Sequence, residues 1–259
     1  MKASRIVIFG HSHVWSMRRA IAAYVSRDDS LEVTAPLCGT KEMPGPIVYY
    51  DSAGKIFLTS TLSALIAQTS GRTDAKTTYL LSMVQGNYYN QLGMIETVEP
   101  FDFVLPFAPH LPLDSSATHI PYGAVRTMLL TKMEGVEDYL RLMSRTPFAA
   151  RTIVGGPPPP VRDDAVIKTL LNQEGITDPV SAPFVRLKLW HLQNQIFSEL
   201  CLKFSLTYLA GAPADTQDED GFLRVEYVKD AVHANGPWAE LFLTDVIAIA
   251  TASEEKVDA

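Results

Sequence analysis

Arg5-Ile6-Val7-Ile8-Phe9-Gly10-His11-Ser12-His13 is the stretch from which the fold can be read. The apolar residues Ile6 to Phe9 make a short unbroken run stopped by Gly10. That is the pattern of a strand buried on both faces of a parallel sheet. Behind it, Val14 to Val25 sets Trp15, Ile21, Ala22 and Val25 among Met17, Arg18 and Arg19, which reads as an amphipathic helix. Strand, glycine turn and helix in that order place Ser12 at the carboxyl end of a strand, the edge at which open α/β sheets bind ligands. A serine in that position works as a nucleophile only if a base reaches it.

The remainder of the chain repeats this alternation. Leu31 to Leu37 reads as a second strand ending at Cys38-Gly39-Thr40, and Lys41 to Gly54, with its prolines and glycines, as loop. Ile56 to Leu58 suggests a short extra strand, and Leu62 to Gln68 a helix. Thr77 to Val84 is a third strand running into Gln85-Gly86-Asn87. Phe101 to Ala108 is apolar but interrupted by Pro106 and followed by Pro109, so the pattern assigns it to no class. Apolar residues from Val125 to Met143 recur at helical spacing and predict one helix over 121–145.

Thr152 to Val154 is a fourth strand, stopped by Gly155-Gly156 and the prolines 157–160. Phe184 to Phe204 predicts the longest amphipathic helix, with Leu187, Trp190, Ile196, Leu200 and Cys201 as its stripe. Leu206 to Leu209 is a fifth strand, Asp215 to Gly221 an acidic loop, and Trp238 to Thr251 a last helix. Strands separated by helices argue for a doubly wound parallel sheet. The stretch from about Asn90 to Tyr122 is longer than a crossover needs and reads as an insertion or lid on a single domain.

Composition limits the function. The chain has 259 residues, 47% hydrophobic and 20% charged, enough for one large core without staples. A net charge of −7 offers nothing to a polyanion, so neither a nucleic acid nor an anionic membrane is an expected partner. No run reaches the length of a membrane span, and Met1 to Arg5 leads straight into the strand without a secretory leader, so a cytoplasmic location is expected. Cys38 and Cys201 lack metal spacing and read as small core hydrophobes. No metal and no cofactor is expected. His11 and His13, two apart with no third ligand nearby, make a poor zinc signature. The glycines match neither a phosphate-binding loop nor a dinucleotide fingerprint.

A base is available near the far end, in Val228-Lys229-Asp230-Ala231-Val232-His233-Ala234-Asn235-Gly236-Pro237. Asp and His three apart can bring both side chains to one side of a turn, the Asp holding Nδ1 while Nε2 faces a serine. The histidine suits a proton shuttle because it titrates near neutrality. Spacing alone leaves a second reading open, in which Asp230 caps the helix that follows and His233 lies at the surface.

Taken together, these blocks resemble the SGNH hydrolases, also called the GDSL esterase/lipase family, in family order and across almost the whole chain. Gly10-His11-Ser12 matches the block with the nucleophile, Gly39 the glycine that gives a backbone N–H to the oxyanion hole, Gly86-Asn87 the oxyanion asparagine, and Asp230-x-x-His233 the base and its partner. The resemblance implies a flavodoxin-like three-layer α/β/α sandwich, with a five-stranded parallel sheet of order 2-1-3-4-5. It implies a Ser12-His233-Asp230 triad and an oxyanion hole from Ser12, Gly39 and Asn87.

Two departures stand out. His11 replaces the Asp that the family usually has before its serine, and Asn87 follows Gly86 directly where the family has Gly-x-Asn. His11, His13, Gly86, Tyr88 and Tyr89 are candidate substrate contacts, with turn or packing roles as the alternative. His119, Tyr122 and Arg126 stand in the same position, between a substrate contact and a solvated loop. The expected activity is ester hydrolysis, with a small-molecule or carbohydrate ester bearing a short acyl group as substrate. The alternative is an SGNH-like protein that binds a ligand or transfers an acyl group without hydrolysing.

Overall fold

The computed structural model describes residues 4–24, 31–74, 76–84 and 86–255. In chain order the elements are β1 (Ser4–Gly10), α1 (Val14–Tyr24), β2 (Leu31–Cys38), α2 (Gly39–Glu42), β3 (Val48–Tyr50), β4 (Ile56–Leu58), α3 (Ser60–Ser70) and β5 (Thr77–Met83). There follow α4 (Tyr88–Gly93), β6 (Phe101–Asp102), β7 (Thr118–His119), α5 (Tyr122–Lys132), α6 (Val136–Met143) and β8 (Thr152–Gly155). The last are α7 (Asp164–Gln173), α8 (Pro183–Lys203), β9 (Thr207–Leu209) and α9 (Gly236–Glu255). The main sheet has five strands in the order β2-β1-β5-β8-β9, and every pair in it is parallel. Counting only these strands, the order is 2-1-3-4-5, which makes the fold a flavodoxin-like α/β sandwich.

The period of two along the central strands builds both faces of the sheet. Val7, Phe9 and Leu80 enter one core, with α3, α5, α6 and most of α8. Ile6, Ile8, Tyr79, Leu81 and Met83 enter the other, with α1, α7 and α9. Each strand must therefore be apolar on both sides, which is why β1 reads as a continuous run. Cys38 and Cys201 are free thiols buried in opposite cores.

The structure departs from the sequence pattern in several places. The single helix expected over 121–145 is two, α5 and α6, because Gly135 takes a left-handed φ of 83° that ends the α-helical path between them. The expected loop 41–54 contains β3, which pairs antiparallel with β4 as a small hairpin. Within the unassigned stretch 101–108 only Phe101 and Asp102 form a strand, paired with β7. Helix α7 lies in a segment the pattern left blank, and the residue before it, Asp163, is its N-cap, the carboxylate accepting from the Ala165 and Val166 N–H groups. Of the residues assigned to the first helix, Val25 lies outside the described residues, and Trp15 is exposed.

Helix α8 is the longest element, but it is not a half-exposed amphipathic helix. From Val185 to Gln193 it is buried nearly all round, polar residues included, because α4 and the segment around Asp102 cover the side away from the sheet. The charges enclosed there are paired. Lys188 Nζ donates to both oxygens of Asp102, at 2.7 and 2.9 Å, and Asp102 also accepts the N–H groups of Phe103 and Asp114. Arg186 reaches the carbonyls of Ser181, Val161 and Arg162 and the carboxylate of Asp164. In the acidic loop, Asp218 and Asp220 both pair with Arg162.

Candidate active site

The sheet order brings three turns to one place. Gly10, the last residue of β1, pairs with Cys38 of β2 on one side and Met83 of β5 on the other. Hence His11-Ser12, Gly39 and Gly86-Asn87 all leave the same carboxyl edge, around the switch point where chain connections depart in opposite directions. Gly10 is required there by contact: a Cβ at this position would lie 2.3 Å from the Met83 carbonyl oxygen. The main chain then turns at once into α1, with the Val14 and Trp15 N–H groups donating to the carbonyls of His11 and Ser12. Ser12 is half-buried in that turn.

The C-terminal loop arrives at the same edge. Asp230 Oδ1 accepts the backbone N–H groups of Val232, at 3.1 Å, and His233, at 2.9 Å, and meets the imidazole Nδ1 of His233 at 2.8 Å. The three-residue spacing is thus explained by an aspartate turn in which one carboxylate oxygen folds the loop and holds the ring. Burial alone would raise the Asp230 carboxyl, but the bond to His233 and the attraction of that ring outweigh it and leave it below its ordinary value. With Nδ1–H donated to Asp230, Nε2 is the nitrogen left to accept a proton. The alternative reading, Asp230 as helix cap, does not hold: Asn235 accepts from Trp238 N–H at the start of α9.

Three contacts join this loop to the serine turn. The His233 and His13 rings lie 5.0 Å apart, centroid to centroid, and His13 is the residue next to Ser12. Ser16, one helical turn further on, donates its hydroxyl to the Ala234 carbonyl at 2.7 Å, a fully buried bond. Asn87 completes the set: its Nδ2 donates to the Val232 carbonyl at 2.6 Å, and its Oδ1 faces His13 Nε2 at 3.1 Å. Ser12, His233, Asp230 and Asn87 are therefore gathered at one edge.

The other candidates divide. His13 is buried, its ring directed at Asn87 and His233, and burial followed by the neighbouring His233 pushes it down to about 3. His11 is half-buried, donates its N–H to the Met83 carbonyl, and is lowered by burial. Tyr88 is half-buried beside Gly86. Tyr89 is fully buried, its hydroxyl donating to the Pro158 carbonyl, and so it packs. Gly39 is buried as the first residue of α2. His119 and Tyr122 lie elsewhere, on a surface cavity of about 460 Å³ lined also by Phe103, Val104 and Leu113. Arg126 pairs with Glu199.

One supporting residue escaped the sequence reading. Gln193 of α8, fully buried, donates Nε2 to the Gly86 carbonyl and accepts the Tyr89 N–H with Oε1, gripping the turn on both sides of Asn87. The only signal was a glutamine within the apolar stretch of that helix. Among the described residues, no group of three or more His, Cys, Asp or Glu side chains has the arrangement to hold a metal ion, and no helix is long and apolar enough to cross a membrane.

No protein-family model and no curated protein matches the chain. Several solved structures are similar to it. A GDSL-like lipase from Bacteroides thetaiotaomicron is 10% identical at a TM-score of 0.45, covering 98% of this chain and 89% of its own. The periplasmic domain of a lipopolysaccharide acetyltransferase from Salmonella Paratyphi A is 13% identical at 0.46, covering 94% and 82%. Phospholipase A1 from Streptomyces albidoflavus is 10% identical at 0.41, covering 96% and 99%. The chain's own sheet order is the flavodoxin-like one that its sequence resemblance implies.

Proposed function

We propose that the chain is a serine ester hydrolase of the SGNH type. The observation that carries this reading is the joining of two distant segments: the Asp230–His233 pair is tied to the turn holding Ser12 by Ser16, Asn87 and the His13–His233 contact. Ser12 Oγ bonds to the ester carbonyl carbon while its proton passes to His233 Nε2, and Asp230 stabilises the imidazolium. The carbonyl oxygen takes up the negative charge, facing the backbone N–H groups of Ser12 and Gly39 and the second hydrogen of Asn87 Nδ2. Such prepositioned donors contribute about 3–4 kcal/mol each. Collapse breaks the ester C–O bond, and the proton on His233 goes to the departing alkoxide. Water then adds to the acyl-enzyme by the same route and releases the acid.

The acyl group is read as short, acetyl foremost, and the alcohol as a carbohydrate or another small polar molecule. Half-buried His11 and Tyr88, beside Ser12 and Asn87, support a polar partner. The test is labelling by a fluorophosphonate together with turnover of p-nitrophenyl acetate, and both are expected to vanish in Ser12→Ala. A wild-type protein that neither labels nor turns over ester refutes the reading. In that event the second reading takes its place, an SGNH-like acyl-transfer or ligand-binding protein, which His11 in the family's Asp position favours.

A further inference from the structure

We propose that His13 is a positioning residue: its buried imidazole sets the Asn87 amide, and through Asn87 the loop of Asp230 and His233, against the Ser12 turn. The inference rests on the hydrolase reading for its kinetic consequence, but its geometry stands alone. The Val232 carbonyl can only accept, so the Asn87 atom 2.6 Å from it is Nδ2. Oδ1 therefore faces His13, and since Oδ1 can only accept, His13 Nε2 carries the hydrogen of that 3.1 Å bond. A relay results: His13 Nε2–H to Asn87 Oδ1, then Asn87 Nδ2–H to the carbonyl of Val232, the residue before the proposed base.

Three separate turns meet in this relay, those after β1 and β5 and the loop before α9. Ser16 holds the same loop at Ala234, two residues beyond Val232, so the loop is pinned on both sides of His233. The Val232 carbonyl and the hydrogen on His13 favour the same amide orientation, so the two together hold Asn87 against a half-turn flip. Burial lowers the His13 imidazole and so favours its neutral form, whose single ring hydrogen is then the one facing Asn87. The charged or titratable groups around it are His233, Asp230 and Lys229, whose Nζ lies 3.8 Å from Asp230 Oδ2.

The relay is tested in the full-length chain with His13→Gln, which retains an N–H donor, and His13→Leu, which has none. His13→Leu is expected to lower kcat on p-nitrophenyl acetate by about 10-fold or more with KM within about twofold, and His13→Gln to recover most of the loss. Wild-type kcat in His13→Leu overturns the proposal, as does a His13→Gln no better than His13→Leu. A readout free of both activity and variant folding is the ring ¹⁵N spectrum of the wild-type protein. A hydrogen on His13 Nε2 from pH 5 to pH 8 supports the relay, while a neutral ring with its hydrogen on Nδ1 overturns it. Failure of the wild type to label with a fluorophosphonate sinks the hydrolase reading alone, and the ¹⁵N spectrum then decides the relay.

Discussion

Replacing His13 by Gln should change how the stability of the protein depends on pH, and the size of the change follows from burial. In the unfolded chain the imidazole takes up a proton near 6.5. In the folded protein, burial and then the nearby His233 push it down to about 3. Between those values the unfolded state binds a proton that the folded state refuses, so stability falls as pH drops, by up to about 1.4 kcal/mol per unit. At pH 5, about 1.5 units below the ordinary histidine value, the penalty is about 2 kcal/mol. Above about 6.5 it is absent, because neither state is charged. Asp230 cannot imitate this, since a carboxylate held below its ordinary value loses its contribution only as pH falls below about 4. Glutamine has no proton to gain. Urea unfolding of both proteins at pH 7 and pH 5 isolates the effect as a difference of differences, which cancels His11, His191 and the acidic residues. The wild type should lose about 2 kcal/mol more than His13→Gln between the two pH values. Equal losses would mean that His13 takes up its proton as readily in the folded protein as in the unfolded one, and the assignment of the shift to burial would fail.

Asp230→Asn should cut kcat on the order of 10³–10⁴-fold, because the amide no longer selects the Nδ1–H tautomer of His233; esterase assays in which it loses less than about 10-fold would remove Asp230 from the triad. Gln193→Leu leaves the Gly86 carbonyl and the Tyr89 N–H without their partner and should cost about 1–3 kcal/mol in chemical denaturation, with kcat falling as Asn87 shifts. Unchanged stability and kcat would show that the turn holds itself. Lys188→Met strands the buried Asp102 carboxylate and should destabilise by about 3–5 kcal/mol, with a midpoint within experimental error of wild type as the contrary result.

The parts of this protein that are visible in the sequence are those where local pattern and final environment agree. From Ile6 to Phe9, β1 is unbroken apolar sequence because both faces of the sheet are covered there, and that demand is legible without reference to any partner. β5, β8 and the C-terminal helix are likewise legible from their own apolar patterns. Where a single residue overrides the pattern, the reading failed: the apolar spacing through 125–143 continues across Gly135, but the helix does not. The acidic start of α7 at Asp163-Asp164 was a cap signal, obscured by the four prolines before it. Helix α8 misled in the opposite sense. Its polar residues suggested an exposed face, yet Arg186, Lys188 and Gln193 are enclosed because each finds its partner on a segment distant in sequence.

By itself the sequence names the side chains of the candidate site. A serine closing the first strand and Asp-x-x-His before the last helix are local facts, and the aspartate turn that joins Asp230 to His233 spans only three residues. Tertiary structure alone brings these two local arrangements to one edge of the sheet. That depends on the strand order, which sets the turns after β1, β2 and β5 side by side, and on hydrogen bonds such as Ser16 to Ala234 across 218 residues. It also sets the hydrogen-bond partners of His13 and Gln193, which no local pattern specifies.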